Sequence, residues 1–256
     1  MFIFAINDIW IMSFAFENKS VAKMFAVVCL VLFLSHPFSF FGQETFVDGR
    51  DNNSYGVVTI GDQVWMSENM RYLPNVSSPK NMSDEDYYTA KYYVYGYDGT
   101  DVSEAKNLNE YSTYGVLYNQ TAARSACPSG WHLPKDSEWK KLEKNLGMQG
   151  NATKQIGNRG TYQGVYLAGN AKLWSENGSM SFKNHMFGTS GFMALPAGFM
   201  GNDKKFHELG VKASFWTATE YCDGYSYYRS IGVNSLAVYR INADNRTGMS
   251  VRCIKD

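Results

Sequence analysis

Hydrophobic and polar positions set out the elements of this chain. Tyr55-Gly56-Val57-Val58-Thr59-Ile60 is rich in β-branched residues and reads as a strand. Gly61-Asp62 is a tight turn, and Gln63-Val64-Trp65-Met66 returns, so 55–66 is a predicted hairpin. The period changes at Asp136, after which apolar residues fall at Trp139, Leu142 and Leu146. Offsets of three and four place them on one helical face, and Gly147 suits the left-handed position just past a helix end. Ahead of this helix, Pro134 closes the run Cys127–Pro134 and biases Leu133 toward extended geometry.

Further strands are expected at 91–95, 191–198, 213–219, 226–232, 237–241 and 248–254. Residues 119–126 are expected as a short helix or turn, and 166–174 as a second short element. Residues 73–86, 147–165, 175–191 and 199–212 read as loop. No internal repeat and no low-complexity segment is visible. The sum is a loop-rich α+β domain with a hairpin-built, mostly antiparallel sheet and about two helices.

The first 42 residues have a different character. Lys19 and Lys23 precede a continuous apolar run, Met24 to Leu34, which His36 and Pro37 end. A charged flank, a short apolar segment and a tail of small and apolar residues read as a secretory signal. The run is too short for a membrane span, which needs about 20 apolar residues. Residues 1–23 are unusual in front of a signal, and an early start codon would explain them, with Met12 or Met24 as the true start. Cys29 lies inside the run after Val28, which disfavours lipid anchoring. The expected mature chain is 43–256, one domain with no transmembrane anchor, secreted or held at the surface or periplasm of a Gram-negative bacterium.

Charge narrows the partners. Lys+Arg and Asp+Glu are 24 each. The leader takes two of each sign (Lys19, Lys23; Asp8, Glu17), so the remainder stays neutral. A basic face for nucleic acid or for an anionic membrane surface is therefore not expected. An exported chain meets oxidising conditions, where cysteines pair. Cys127 and Cys253 each sit in an ordered-looking motif, while Cys222 lies in the turn Glu220-Tyr221-Cys222-Asp223-Gly224. The expected bridge is Cys127–Cys253, with Cys222 free.

Candidate chemistry is sparse. His132 lies in a turn, and His185 and His207 lie in polar loops; no nucleophile–base motif or phosphate-binding Gly-rich loop is present. No Cys/His cluster suggests zinc. Asp98-Gly99-Thr100-Asp101 lacks the ligand count and bidentate glutamate of a calcium loop. No catalytic residue, metal or cofactor is expected. Sugars also bind by stacking on exposed aromatics rimmed with amides and carboxylates. Tyr87, Tyr88, Tyr92, Tyr93, Tyr95 and Tyr97 form one candidate strip, in which Tyr93, Tyr95 and Tyr97 would share one strand face. Trp174 and Trp216, with Glu220, are the other candidates. Trp65, Trp131 and Trp139 are expected in the core. Glu68 and Glu220 are alternatively read as buried partners of Arg229 or Arg252.

Several segments together resemble one family in the same order. They are Val64-Trp65-Met66-Ser67-Glu68-Asn69, Tyr114-Gly115-Val116-Leu117-Tyr118-Asn119, Cys127-Pro128-Ser129-Gly130-Trp131-His132-Leu133-Pro134, Glu138-Trp139, Gly191 to Gly198, Phe215 to Glu220, and Ser250-Val251-Arg252-Cys253. The set resembles the Fibrobacter succinogenes major paralogous domain over about residues 46–256. The resemblance implies export from a bacterium such as one of the Bacteroidetes. It also implies a C-type-lectin-like fold, distantly similar to formylglycine-generating enzymes, but no established activity. The paired active-site cysteines of those enzymes are not matched. Neither are the Glu-Pro-Asn or Gln-Pro-Asp and Trp-Asn-Asp motifs of calcium-dependent lectins. The chain departs from the family pattern at Gln120 and at Lys135, where a helix-capping Thr or Ser is usual, leaving Asp136 or Ser137 to cap. The expected function is an exported binding or adhesion module for a glycan or a surface protein. Residues 175–212 would carry its specificity. A structural surface protein or assembly subunit is the alternative, and enzyme activity is disfavoured.

Overall fold

A computed structural model describes residues 44–176, 178 and 185–256, together with the backbone of 2–6 and 9–13. The apolar run Met24–Leu34 lies outside the described residues. Two units are separated by their contacts. In the first, Met1–Gly42, strands β1 (Phe2–Ile6) and β2 (Ile9–Ser13) pair antiparallel. Among the described residues, no helix is long and apolar enough to cross a membrane.

The second unit, Gln43–Asp256, is mixed α+β. The expected hairpin is present as β4 (Ser54–Ile60) and β5 (Gln63–Met66). With β3 (Thr45–Val47), β8 (Trp131–His132) and β15 (Ile254–Lys255) it forms a five-stranded antiparallel sheet, ordered β3-β4-β5-β15-β8. The late strand β15 thus lies between two early ones. A second sheet holds β9 (Gly157–Arg159), β10 (Ala197–Met200), β11 (Phe206–Leu209), β12 (Lys212–Cys222), β13 (Tyr225–Gly232) and β14 (Val238–Asp244). Its order is β11-β10-β12-β13-β14-β9, antiparallel except for β10 against β12. β6 (Tyr92–Tyr93) and β7 (Leu117–Tyr118) pair separately. The short helices α1 (Val102–Lys106), α2 (Asn109–Tyr114), α3 (Gln120–Ala123) and α5 (Gln163–Leu167) accompany one longer helix, α4 (Asp136–Asn145). Five α-helices among the described residues exceed the two expected. Asp101, read as part of a turn, accepts hydrogen bonds from the Ser103 and Glu104 amides and starts α1.

Helix α4 organises one of the hydrophobic cores. Trp139 and Leu142 are fully buried. The Trp139 ring lies 5.2 Å from Trp65, 5.5 Å from Phe192 and 5.7 Å from Phe215, in tilted and edge-on contacts favoured by aromatic quadrupoles. Trp65 and Trp131 are buried as expected. Gly147 takes φ +87° past the helix end, and the Met148 amide bonds back to the Glu143 carbonyl at 2.9 Å. The helix start corrects the expectation that Asp136 or Ser137 caps it. Glu138 Oε2 accepts from the Lys135 amide at 2.7 Å, and Thr219 of β12 accepts from the Asp136 amide at 2.9 Å. The helix is therefore capped partly from a strand.

Asp136 is free of capping because its carboxylate is used elsewhere. It accepts from Arg240 Nε at 2.7 Å and Nη2 at 2.9 Å, and pairs with Arg229 at 2.8 Å and Lys140 at 2.6 Å. Two helical turns on, fully buried Glu143 holds Arg159 through two 2.7 Å bonds and Arg229 Nε at 2.8 Å. Burial alone would raise the Asp136 pKa, but the bonds from Arg240, Arg229 and Lys140 hold it well below the usual carboxylate range. This network, rather than Glu68 or Glu220, partners Arg229. Arg252, also expected to pair with one of those glutamates, is buried against the Phe192 ring, 4.6 Å from its centroid. It donates to Asn69 Oδ1 at 2.7 Å and to the carbonyls of Met66, Phe192 and Met193. Burial pushes its pKa down to about 9, so it stays charged at neutral pH. Glu68 instead pairs with Arg71 at 2.5 Å.

The Cys127–Cys253 disulfide is present, with Cα atoms 5.8 Å apart, and Cys222 is free and exposed. The bridge ties the turn before β8 to the residue before β15.

Candidate functional site

The proposed stacking aromatics are mostly inside the protein. Tyr93, Trp174 and Trp216 are at most 3 % exposed. Trp174 donates its indole N–H to the Gly169 carbonyl at 2.9 Å, and Trp216 to the Tyr118 carbonyl at 2.8 Å. The row Tyr93, Tyr95, Tyr97 does not form, because β6 covers only Tyr92–Tyr93 and the chain turns at Gly96 (φ +77°). Alternation of faces ends with the strand. Tyr95 packs on Phe206 with ring centroids 5.0 Å apart, and the Tyr97 hydroxyl donates to Glu104 at 2.8 Å. Of the candidates, Glu220 and, from the tyrosine strip, Tyr88 are exposed.

Glu220 lines a groove of about 310 Å³ with Tyr87, Tyr88, Asp223, Gly224 and Asn245. Two elements make it. The first is the β12–β13 hairpin, whose strands end in register at Cys222 and Tyr225 around Asp223-Gly224. Gly224 has φ +73°, and a β-carbon there would lie 3.1 Å from the Tyr87 ring, so the close approach needs glycine. The second is a 3₁₀ turn, Asp84–Tyr87, begun by Ser83. Tyr87 is fixed: its hydroxyl donates to Asp244 Oδ2 at 2.7 Å, and Arg246 lies 4.6 Å over its ring. Burial first, and then the bond to Asp244, push the Tyr87 pKa up to about 12. Arg246 is in turn held by Asp244 at 2.9 Å and Asp84 at 2.6 Å. Tyr88, by contrast, is 86 % exposed. The Asn245 amide N–H bonds the Gly224 carbonyl at 2.9 Å, while its buried side-chain oxygen has no donor.

Seven large apolar side chains are exposed among the described residues, and three of them, Tyr88, Tyr221 and Tyr225, belong to this groove or its hairpin. The concentration marks the hairpin tip as the most aromatic surface. Sequence reasoning reached Tyr87, Tyr88 and Glu220 but not Asp223, Asn245, Tyr221 or Tyr225. The turn reading of 220–224 implied exposure for Tyr221 and Asp223. Nothing in the sequence placed Asn245 beside them. A larger groove of about 440 Å³ runs over Lys212, Tyr228 and Tyr239, but there Glu208 is paired with Lys212 at 2.5 Å. Among the described residues, no cluster of three His, Cys, Asp or Glu is arranged to hold a metal ion.

His132 is held on both sides, Nδ1 at 2.6 Å from Asp256 and Nε2 at 2.9 Å from Glu138. Burial would lower its pKa, but hydrogen bonds to Asp256 and Glu138 outweigh this and raise it. A raised histidine pKa contributes stability that is complete below the unfolded value of about 6.5 and lost as pH rises through the folded value. Urea unfolding of the H132Q variant should therefore differ most from the unmodified protein below about pH 6.5 and converge with it as the pH rises. A gap that stays constant with pH would show that the histidine acts only by packing.

Searches of curated proteins and of solved structures each return no match. A family model described as the Fibrobacter succinogenes major domain covers residues 58–255, from within strand β4 to the end of β15, and so takes in the second sheet, the first sheet apart from β3 and the start of β4, helix α4, the disulfide and the groove. On that match the chain belongs to the Fibrobacter succinogenes major domain family.

Proposed function

We propose that this protein is an exported glycan-binding module whose site is the groove between Tyr88 and the β12–β13 hairpin tip. The observation that carries this reading is the 86 % exposed Tyr88 ring beside Glu220, Asp223 and Asn245. An exposed aromatic face covers the apolar face of a sugar ring, and neighbouring carboxylate oxygens accept from its hydroxyls. A C-type-lectin-like fold is consistent with the loop-rich, mostly antiparallel architecture. Export to the surface or periplasm of a Gram-negative bacterium is supported by the disulfide, which persists in oxidising compartments.

A glycan array probed with the purified protein tests the reading. Binding should persist in a chelator and fall at least about tenfold in the Tyr88→Ala variant, the loss of one stacking contact of about 1.5 kcal/mol. Loss of binding in chelator would overturn the metal-free site. Absence of binding to every glycan would favour the alternative, a structural surface subunit.

A further inference from the structure

We infer that the face of the second sheet turned away from helix α4 carries a separate site for an uncharged sugar ring; this site goes beyond the hairpin groove and does not depend on it. Cross-strand register assembles the face. Residues opposite each other in an antiparallel pair share a face, and so do residues two apart along a strand. Lys212 lies opposite Gly232, Ser230 opposite Tyr239, and Tyr239 opposite Asn158. Tyr228, two residues before Ser230, joins them. Arg229 and Arg240 alternate with these residues and reach the other face, where they pair with Asp136 and Glu143 of α4. All six line the groove of about 440 Å³, within the size range of small-ligand pockets, about 300–1,000 Å³.

The floor holds hydroxyls with nothing to bond. Ser230 is 2 % exposed and lines the groove, yet its side chain forms no hydrogen bond among the described residues. Ser214, opposite it on the same face, is 1 % exposed, and its Oγ is buried without a partner. A buried hydroxyl left unbonded costs free energy that a ligand hydroxyl recovers. Burial first, and then Tyr239 and Glu208, push the Tyr228 pKa up to about 12, so that phenol stays protonated and able to donate. Hydroxyls and the Asn158 amide both donate and accept, as the hydroxyls of a sugar do. The two tyrosine rings, with Val211 and Val233, offer apolar surface to a ring face. Charge selects against ions. Glu208 and Lys212, the only charged residues lining the groove among the described ones, neutralise each other at 2.5 Å. Glu208 is held there at φ +59°, a strained backbone of the kind that clusters at ligand sites. A charged sugar would have to break that pair, whereas a neutral one bonds across it.

The test titrates valine-methyl-labelled protein with millimolar glucose, galactose, mannose and N-acetylglucosamine, and follows Val211 and Val233 by nuclear magnetic resonance. At least one of the four should shift both signals saturably, and glucosamine and glucuronate should bind no more tightly than that sugar. The Gly232→Phe variant should weaken binding at least about tenfold. A β-carbon at Gly232 meets nothing nearer than the Val211 carbonyl oxygen at 3.6 Å, so the ring can be carried on an unstrained backbone and fills the groove. Ser230→Ala, which removes only the hydroxyl, should cost about fivefold, the worth of one hydrogen bond, and it decides the matter where the larger substitution disturbs folding. Unmoved Val211 and Val233 signals with every sugar, shifts that survive both variants, or a tenfold preference for the charged sugars would overturn the inference. Each of these outcomes leaves the hairpin groove intact, because binding there is read through Tyr88.

Discussion

Replacing Glu143 with Ala is expected to cost about 3–5 kcal/mol, a large share of the roughly 5–15 kcal/mol that holds a typical domain folded. Among the described residues, Glu143 is the sole carboxylate bonded to Arg159 and one of two bonded to Arg229, both of which are fully buried. Removing one partner of a buried pair strands the other charge in a low-dielectric interior, and that stranded charge sets the size of the effect. Glu143→Gln should be nearly as damaging, since it keeps the shape but loses the charge. A compensating change at Arg159 to Met, made with Glu143→Leu, should recover part of the loss, because an apolar replacement of a buried pair is often neutral. Urea denaturation of the three variants checks this. A loss below about 1 kcal/mol for Glu143→Ala would mean that the network is not a determinant of stability.

The disulfide should have the second large effect. Its cysteines are 126 residues apart, and cross-linking a loop of that length lowers unfolded-state entropy by the equivalent of about 5 kcal/mol on the chain-entropy model, with measured losses of about 2–5 kcal/mol. The Cys127→Ser, Cys253→Ser double variant, or reduction of the native protein, should lower the unfolding midpoint accordingly. Cys222→Ser should leave stability within about 0.5 kcal/mol, as an exposed surface change does. Peptide mapping without reductant should recover residues 127 and 253 joined. A Cys222-containing bridge in the mature protein would contradict the structure.

Local patterns were readable and long-range pairings were not. The 55–66 hairpin and helix α4 carry their own period and turn residues, so both stand where the sequence put them. The Cys127–Cys253 pairing was legible because both cysteines sit in ordered motifs. The strand expected over 248–254 illustrates the limit. Most of it makes single bridges to different partners, Gly248 to Met200, Met249 to Tyr118 and Ser250 to Phe215, before β15 begins at Ile254. A β-rich composition cannot distinguish a strand from a segment threaded between sheets. Strand β11 was missed because it lies in a polar stretch and contains Glu208 at φ +59°, outside ordinary strand geometry. The same limit governs the site. Trp216 and Tyr88 are equally aromatic on paper, and only the tertiary arrangement buries one and exposes the other. The partners of Arg240 and Asp136 are 104 residues apart, beyond any local signal.

The position of β15 bears on how the protein is made. Synthesis runs from the N-terminus, so β4, β5 and β8 leave the ribosome long before Ile254–Lys255, the strand that lies between β5 and β8. The five-stranded sheet therefore cannot close until Ile254–Lys255 emerge. Cys222 also precedes Cys253 in that order, so the first later thiol offered to Cys127 is the wrong one. A 127–222 bridge, if formed during emergence, must be undone by thiol–disulfide exchange before the native one can close.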